Sequence, residues 1–408
     1  MTVRETIFKE FDKWMTLPDK SVLDVVCGSV LANRMDGLPI FLALIGPSSS
    51  GKSVVIESTN DLPDTYPLSK ITPRTFASGF TGKKQASLLE ELTSDHPWIL
   101  TFKDFTTVLA MPKSEKGEIM AQLREIYDGE FVGRWGSTKK DVWKGRIGLI
   151  LGCTGAWDKV APEFGALGER FLVFRMPDVP DEQVADRGIR SSTDTETMEG
   201  DLRRAMCALD QIPIPPNGGP VPQIMYPDRQ HLRLLAVMTA RARTPVLRNY
   251  VTRQVEDLPE IEKPGRLAGQ LAKLSEGIAL FKGEPSVSEG TRETIDKVAI
   301  GSIPRERRII LKHLDFQGET VDSISQRLRL ARSPIGRALQ DMQLLGIAEV
   351  GPGGYRPTPS FESFFALARG HHRDTENGGE DYREDLATGE ETGEEGGGVE
   401  DGTLSSTD

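Results

Sequence analysis

The feature that most constrains this chain is the segment Gly46 to Ser53, which reads GPSSSGKS and fits the pattern G-x-x-x-x-G-K-[ST]. It follows the apolar run Ile40 to Ile45 and precedes the helix-compatible segment Val54 to Ser58, so it lies where a strand would pass into a helix. In such a turn the backbone N–H groups and the start of the helix converge on one anion. The pattern predicts a loop that binds nucleotide phosphates, and the alternative is a chance Gly/Ser-rich turn.

The residue types in this loop match the chemistry of phosphate binding. Gly46 and Gly51 allow the backbone shape, and Lys52 is expected to place its ammonium against the β- and γ-phosphates. Ser53 is expected to give its hydroxyl to Mg²⁺, whose other ligands come from the nucleotide, water and a carboxylate. ATP and Mg²⁺ are therefore the expected cofactors. The expected nucleotide-binding residues are Gly46, Pro47, Ser48, Ser49, Ser50, Gly51, Lys52 and Ser53.

Composition argues against several other classes of protein. The three cysteines lie far apart, so neither a disulfide framework nor a cysteine-based zinc site is expected, and the five histidines lack metal-ligand spacing. No apolar run is long enough to span a membrane and no basic-then-apolar leader begins the sequence. We expect a cytoplasmic protein with no membrane partner, located in the bacterial host cytoplasm if a phage encodes it.

The net negative charge is concentrated at the end of the sequence. From His371 onward there are 13 acidic and 2 basic residues, so this tail alone accounts for the net charge of −11 of all 408 residues. The remainder is close to neutral, and the acidic balance does not argue against nucleic-acid binding. The tail has almost no apolar residues and is predicted to be disordered.

Downstream of the loop, Lys70 to Phe80 predicts a strand followed by a loop, and Trp98 to Phe102 predicts a buried strand that ends in Lys103 and Asp104. An aspartate at the end of such a strand can hold the hydration shell of Mg²⁺. We expect Asp104 to do so from a strand adjacent to the one before the loop. An aspartate that merely begins a turn is the alternative.

The next elements predict a basic hairpin and a further residue that can contact the nucleotide. A helix over Lys116 to Tyr127 is followed by a predicted β-hairpin, with Arg134, Lys139 and Lys140 near its tip. Arg146 to Gly152 predicts a third strand, and Thr154 just after it is a candidate to contact the γ-phosphate or the attacking water. A threonine that only ends the strand is the alternative.

Arg170 directly precedes a fourth apolar strand, Phe171 to Phe174. In an oligomeric ATPase an arginine so placed can reach the γ-phosphate of the neighbouring subunit, where it raises the rate by several orders of magnitude. The expected catalytic residues are thus Lys52, Asp104, Thr154 and Arg170. An ion pair of Arg170 with Glu163 or Glu169 is the alternative.

The order of these motifs over residues 38 to 180 resembles the AAA+ ATPases of the pre-sensor-hairpin group, which are the minichromosome-maintenance helicases and the superfamily 3 helicases of phages and plasmids. The resemblance implies a homo-oligomer, for which a hexameric ring is one form, with Lys139 and Lys140 gripping DNA in its channel and replication proteins as further partners. It also implies a glutamate after Asp104, but Phe105 stands there. Glu125 and Glu130 are weak substitutes as catalytic base.

The segment from Asp178 to Pro227 is predicted to be loop-like, with one helix around Leu202 to Leu209, and helices resume from Arg229 to Leu280. By the resemblance, Arg266 at the start of the last helix is the candidate second sensor arginine, which would bind nucleotide. Its competitors are Arg241, Arg243, Arg248 and Arg253.

The segment from Gly301 to Pro359 predicts three helices and a β-hairpin, the pattern of a winged-helix domain. Its presumed recognition helix and wing offer polar side chains suited to phosphates and base edges. Nine basic and six acidic residues make it only mildly basic, so a winged helix that binds protein is the alternative. The expected DNA-binding residues are Lys139, Lys140, Arg332, Ser333, Arg337 and Arg356.

Together these patterns predict an α/β fold: a three-layer P-loop NTPase core of AAA+ type with a helical lid, a winged-helix domain and an acidic tail. The expected function is an ATPase that acts on DNA, as a helicase or helicase-like replication protein of phage or plasmid type. A DNA-binding ATPase switch without unwinding activity and a protein-remodelling ATPase are the alternatives. The expected parts are an N-terminal helical segment (1–36), the ATPase core (37–180), a linker and lid (181–300), the winged helix (301–360) and the disordered tail (371–408).

Overall fold

The computed structural model describes residues 1–76, 87–92, 96–134, 140–165, 170–191, 194–215, 220–249 and 251–373. Short 3₁₀ helices lie at Cys207–Gln211 and Pro359–Phe361. The other elements in chain order are α1 (Val3–Trp14), α2 (Ser21–Arg34), β1 (Phe41–Ile45), α3 (Lys52–Glu57), β2 (Thr65–Leu68), α4 (Leu88–Glu91), β3 (Trp98–Phe102), α5 (Thr106–Leu109), α6 (Lys113–Tyr127), β4 (Glu130–Arg134), β5 (Lys140–Lys144), β6 (Ile147–Cys153), α7 (Ala156–Gly165), β7 (Phe171–Arg175), α8 (Asp181–Ser191), α9 (Thr195–Met206), α10 (Tyr226–Arg243), α11 (Gly265–Lys282), α12 (Glu289–Gly301), α13 (Arg305–His313), α14 (Val321–Leu328), α15 (Arg332–Leu344), β8 (Ala348–Gly351), β9 (Gly354–Pro357) and α16 (Glu362–Arg373).

The centre of the molecule is a five-stranded parallel sheet with the strand order β2-β3-β6-β1-β7. β1 lies between β6 and β7 with Ile45 opposite both Cys153 and Arg175, so the three strands end together. β3 pairs with β2 and β6. The prediction that β3 would be adjacent to β1 is therefore wrong, because β6 is inserted between them although it comes later in the chain.

Helices cover both faces of this sheet. Alternate residues of β1 point to opposite faces, as the two-residue period of a strand requires. Leu42 and Leu44 belong to a large apolar cluster with α2, α11 and α12. Phe41 and Ala43 belong to a second cluster with α4, α5 and α6. The result is an α/β structure in three layers, with the sheet in the middle.

Helix α2 is a central part of this structure, because the side chains from Val22 to Asn33 are all buried. It crosses α11 at two glycines. A Cβ atom at Gly277 would lie 2.1 Å from the Gly28 carbonyl oxygen, and one at Gly28 would lie 2.5 Å from Ile278 Cγ1. Only glycine allows the two helix backbones to approach this closely.

Two predictions of secondary structure are wrong. The second strand is Thr65–Leu68 rather than a part of Lys70 to Phe80, of which the portion from 77 onward lies outside the described residues. β2 is an edge strand that pairs only with β3, and an edge strand tolerates its Pro67. The segment predicted to be loop-like, apart from one helix around Leu202 to Leu209, is mostly helical: α9 contains part of that predicted helix, and α8 was not predicted. The acidic composition of the segment hides a narrow apolar stripe, in which Met198, Leu202 and Met206 of α9 are buried.

The C-terminal part consists of α13 to α16 and the antiparallel pair β8–β9, close to the three predicted helices and hairpin. Helix α16 runs to Arg373, and the predicted disordered tail beyond it lies outside the described residues. Arg307 of α13, with 7% of its side chain exposed, ties this part to the rest. Its guanidinium donates to the carbonyls of Ala242 and Thr244 at 2.9 and 2.6 Å and to Asp341 at 3.1 Å.

A second connection joins the end of β7 to the same region. The Arg175 guanidinium makes a two-pronged ion pair with Asp158 of α7, with N–O distances of 2.5 and 2.7 Å. It also donates to the Gly301 carbonyl at 2.9 Å, and the Asp158 carboxylate accepts the Arg305 backbone N–H at 3.2 Å. The strand that borders β1 is thus bonded to the segment that begins the C-terminal part.

Candidate functional site

The segment between β1 and α3 forms a tight turn at the carboxyl edge of the sheet. Its Gly51 has φ = +90° and Ser49 has φ = +64°, so the loop depends on left-handed backbone at two positions. A Cβ atom at Gly46 would lie 2.8 Å from Met176 Cβ, and the Gly46 N–H donates to the Cys153 carbonyl at 3.2 Å. The loop is therefore held against the ends of β6 and β7.

The Lys52 ammonium lies within this turn. It donates to the carbonyls of Gly46 and Pro47 at 2.7 and 2.5 Å and to Ser50 Oγ at 3.1 Å. Only 7% of Lys52 is exposed, and burial lowers the pKa of its amine, partly opposed by Cys153 and Asp104. Ser53 is exposed in the first turn of α3, as are Pro47, Ser48 and Ser49 in the loop. The motif thus forms a turn around a buried cation, with the side chains of Ser48, Ser49 and Ser53 exposed.

Asp104 and Thr154 lie at the same edge of the sheet. The exposed Asp104 follows β3, and its carboxylate accepts the Thr106 backbone N–H at 3.0 Å, which begins α5. Thr106 Oγ1 in turn lies 3.4 Å from Thr154 Oγ1, just after β6. A Cβ atom at Gly152 would lie 2.6 Å from the Lys103 carbonyl, so these two strand ends are in close contact. The structure places Lys52, Asp104 and Thr154 at the same edge of the sheet, and Asp104 has the turn-starting role that was its alternative.

Phe105 has no chemical role at this site. Its side chain is fully buried and packs edge-on against Phe102, with ring centroids 5.7 Å apart. The two suggested substitutes for the missing glutamate are both exposed: Glu125 lies on α6, and Glu130 begins β4 and pairs with Lys144 at 3.1 Å. Neither glutamate is seen in contact with Lys52, so neither is supported as the catalytic base.

Arg170 lies at the amino ends of the parallel strands, whereas the loop lies at their carboxyl ends. It precedes β7, whose other end lies beside the loop, and a strand of five residues spans roughly 16 Å. Its guanidinium pairs with Asp128 at 2.8 Å and only 11% of the side chain is exposed. Glu169 and the Glu163 side chain, the alternative partners, lie outside the described residues. The sequence did not reveal Asp128 as a partner because it comes from the end of α6, far away along the chain.

Arg266 lies near Arg170 rather than near the loop from Gly46 to Ser53. One turn further along α11, Gln270 Nε2 donates to the Arg170 carbonyl. Both arginines also act on Tyr127: burial raises the pKa of this phenol to about 12, and the charges of Arg266 and Arg170 oppose that rise. The structure therefore groups Arg170 and Arg266 at one edge, away from Gly46 to Ser53.

The four competitors of Arg266 make other contacts. Arg243 pairs with Glu262 at 2.6 Å and Arg248 with Asp341 at 2.6 Å. Arg241 lies over the Phe361 ring at 5.9 Å, and Arg253 occupies a turn with φ = +57°. These contacts link α10 and the following turn to neighbouring structure.

One residue at the loop, Arg187 of α8, is not among those predicted from the sequence. This guanidinium donates through Nη2 to the Ser49 carbonyl, so it touches the loop directly. The polar composition of the segment around Arg187 predicts a loop. A signal was nevertheless present: Pro180 followed by Asp181 and Glu182 is typical of a helix N-terminus.

The predicted hairpin is present as β4 and β5, with Arg134 opposite Lys140. Phe131 and Trp143 are buried on one side of it, whereas Val132 and Val142 are each 49% exposed on the other. Lys139 and the Lys140 side chain, both predicted to bind DNA, lie outside the described residues.

The other predicted DNA-binding residues lie on α15 and β9. Arg332 is 71% exposed and pairs with Asp322 at 3.0 Å, and Arg356 pairs with Glu349 at 2.7 Å. Arg337 donates to Ser333 Oγ, and this serine is exposed. Two of these three arginines are therefore paired with carboxylates, although exposed pairs of this kind are weak and exchange easily.

Within the ranges that the structure describes, no group of three or more His, Cys, Asp and Glu side chains is arranged to hold a metal ion. A Mg²⁺ ion at the loop would thus take its ligands from Ser53 and Asp104, directly or through water, and from the nucleotide. None of the described helices is both long and apolar enough to cross a bilayer.

A scan against protein-family models finds none that fits this chain, and a search of curated proteins also finds no match.

Proposed function

We propose that this chain is an ATP-hydrolysing protein of AAA+ type that acts on DNA, as a helicase or helicase-like replication protein. The observation that carries the proposal is the placement of three side chains at one edge of a parallel sheet. Lys52 lies in a glycine-dependent loop after β1, Asp104 follows β3, and Thr154 follows β6. Ligands of open α/β sheets bind at this carboxyl edge.

Each group has a place in phosphoryl transfer. Lys52 would exchange its carbonyl contacts for β- and γ-phosphate oxygens, and the Ser53 hydroxyl would ligate Mg²⁺. Asp104 would hold the water shell of the metal. Thr154, whose Oγ1 accepts the Ala156 N–H at 3.3 Å, can direct its hydroxyl proton to the attacking water or the γ-phosphate. When bound, Mg²⁺ would neutralise the charge that develops on the phosphates.

The pair Arg170 and Arg266 supports the oligomeric part of the proposal. Both lie about one strand length from the loop of their own subunit, so they can serve a nucleotide only in a neighbour. In a closed ring, hexameric in the form proposed here, each subunit would present this edge to the loop of the next. Arg170 would then exchange Asp128 for the γ-phosphate of the neighbour, as an arginine finger does.

The DNA-binding part rests on the C-terminal helices and hairpin. α13, α14, α15 and the pair β8–β9 follow the order of a winged helix, and the N-terminal end of α15 presents Arg332 and Ser333 to solvent. We propose that these two residues, with Arg337 and Arg356, contact DNA phosphates and base edges, and that Lys139 and Lys140 bind the backbone. Because such binding releases counterions, it should weaken steeply with salt.

The first test is the ATPase rate without DNA, with single-stranded DNA and with duplex DNA. We expect stimulation by single strands, and we expect Lys52→Ala to abolish turnover. Lys103→Ala is a matched control, because Lys103 is an exposed lysine near the site that pairs with Glu57. Turnover that Lys52→Ala leaves intact would contradict the proposal.

A second test concerns the neighbouring subunit. Lys52→Ala and Arg170→Ala should each be inactive alone. When the two variants are mixed, some assemblies contain an intact loop that faces an intact Arg170 of the neighbouring subunit. Part of the ATPase activity should then return. No recovery in mixtures shown to co-assemble would mean that Arg170 serves its own subunit or only the fold.

A nucleotide switch without unwinding activity is the second candidate, favoured by the burial of Phe105 where a glutamate would polarise water. It predicts tight ATP binding, slow turnover and no response to DNA. The ion pairs of Arg332 and Arg356 favour a third candidate, a protein-remodelling ATPase whose C-terminal part binds protein. The third candidate would be contradicted if the intact chain binds DNA and if Arg332→Ala and Arg337→Ala weaken that binding.

A further inference from the structure

Arg187 reaches the phosphate loop from outside the sheet. It lies on α8, which follows the end of β7, and its Nη2 donates to the Ser49 carbonyl. Its Nη1 is buried and has no acceptor among the described residues. That nitrogen lies 3.6 Å from the position that a Cβ atom would take at Gly51. The free N–H groups of the guanidinium are therefore beside the loop, one residue from Lys52.

The surroundings of this guanidinium make a missing partner costly. Met15 Cε and Leu17 Cδ2, from the segment between α1 and α2, lie 2.7 and 3.9 Å from the same Cβ position and form an apolar wall. Burial lowers the pKa of Arg187 from its ordinary value. A buried charged donor without an acceptor destabilises a protein unless an anion satisfies it. The Ser49 carbonyl is a neutral acceptor and takes only one of the two terminal nitrogens.

We propose that Arg187 binds a phosphate oxygen of a nucleoside diphosphate or triphosphate held in the loop of its own subunit. This proposal rests on the proposed function, because it needs a nucleotide at Gly46 to Ser53. The planar guanidinium can keep the Ser49 carbonyl on one nitrogen while the other donates to the phosphate. Lys52 and Arg187 would then hold the phosphate chain from two directions, one within the loop and one above it.

The experiment is equilibrium binding of fluorescent N-methylanthraniloyl ADP and ATP to the full chain at several salt concentrations. The variants are Lys52→Ala, Arg187→Ala and Arg187→Lys. Arg204→Ala is the matched control, because Arg204 lies on the neighbouring helix α9 with 74% of its side chain exposed. We expect Arg187→Ala to weaken both nucleotides by about tenfold to a hundredfold, the range for a charged hydrogen bond. Arg204→Ala should have no effect.

The salt dependence separates a phosphate contact from a purely structural role. If the Arg187 charge meets a phosphate, the affinity of Arg187→Ala should fall less steeply with salt than that of the wild type. A weakened affinity with an unchanged slope would mean that Arg187 only supports the Ser49 carbonyl, and it would overturn the proposal. Arg187→Lys keeps the charge without the fork, so it should keep the slope and regain part of the affinity. If thermal unfolding shows that Arg187→Ala is misfolded, the comparison of Arg187→Lys with the wild type replaces it as the test.

The remaining outcomes distinguish this proposal from the one beneath it. If Arg187→Ala binds both nucleotides as the wild type does while Lys52→Ala does not, the Arg187 proposal is wrong and the proposed function stands. If the wild type binds neither nucleotide, both are wrong.

Discussion

At the scale of single residues, the loop from Gly46 to Ser53 depends on the backbone conformation of Gly51. Its φ of +90° is unfavourable for any residue with a Cβ atom, and that atom would lie 2.7 Å from Met15 Cε. We expect Gly51→Ala to lower the free energy of unfolding by about 1–3 kcal/mol and to weaken nucleotide binding. Urea unfolding and nucleotide titration measure the two effects.

The control for this substitution is Gly117→Ala. Gly117 lies within α6 and a Cβ atom there would meet nothing within 4 Å. Alanine in an open helical position should raise the free energy of unfolding by about 0.5–1 kcal/mol. Equal effects of the two substitutions would show that the backbone shape of the loop does not matter.

Candidate residues of the site could be selected from the sequence where their chemistry follows directly from the order of the chain. Lys52 and Ser53 are selected by their motif, and Asp104 by its place at the end of an apolar strand. The partner of Arg170 and the contact of Arg187 with Ser49 could not be predicted, because each joins residues that only the folded chain brings together.

At the scale of elements, apolar strands and amphipathic helices were predicted well, since burial dictates their residue pattern. β3 and β7 begin where expected, and the two helices that precede β1 are separated by a break at Pro18. Elements that bury little were missed or predicted only in part: β2 lies at a sheet edge, none of the described side chains of α8 is buried, and α9 was predicted only as a helix around Leu202 to Leu209. The order of the strands in the sheet was also beyond reach, because chain order does not show that β6 inserts between β1 and β3.

The contact between α10 and α12 has a pH dependence. His231 Nε2 lies 2.6 Å from Asp296 Oδ1, and this hydrogen bond raises the pKa of His231 above its usual 6.5, partly opposed by burial. Arg292 and Asp228 also act on this imidazole, in opposite directions. A raised pKa in the folded state stabilises the protein below the unfolded pKa, and this stabilisation is lost as the pH rises through the folded value.

We therefore expect His231→Gln to lower the free energy of unfolding more at about pH 5.5 than at about pH 8.5. Urea unfolding of both proteins at the two pH values measures the difference, and comparing the variants removes the contributions of other titrating groups. A destabilisation that is the same at both values would show that His231 carries no charge in this contact.

At the scale of the whole molecule, residues 1–36 are inseparable from the rest. Helix α2 lies between the sheet and α11, and its crossing at Gly28 and Gly277 leaves no gap between the helix backbones. Burial of one valine or leucine contributes about 1.5–3 kcal/mol, and the stability of a domain is about 5–15 kcal/mol in total. Helix α2 contains six buried residues of this kind, so its loss would remove an amount comparable with that total.

We expect a variant that lacks residues 1–36 to aggregate or to unfold without a cooperative transition. Circular dichroism during heating and size-exclusion chromatography measure both properties. A variant that lacks residues 374–408 is the control, and its Tm should match that of the full chain because the acidic tail has almost no apolar residues to bury. A soluble, cooperatively folding chain without α2 would contradict this account.

The bonds of Arg175 have a mechanical consequence. One end of β7 carries Met176 against Gly46, and the same end holds Asp158 and the carbonyl of Gly301. The loop from Gly46 to Ser53 and the segment that begins the C-terminal part therefore share one support, because both contact the carboxyl end of β7. Whatever changes the packing of either neighbour acts on the same two residues, Arg175 and Met176.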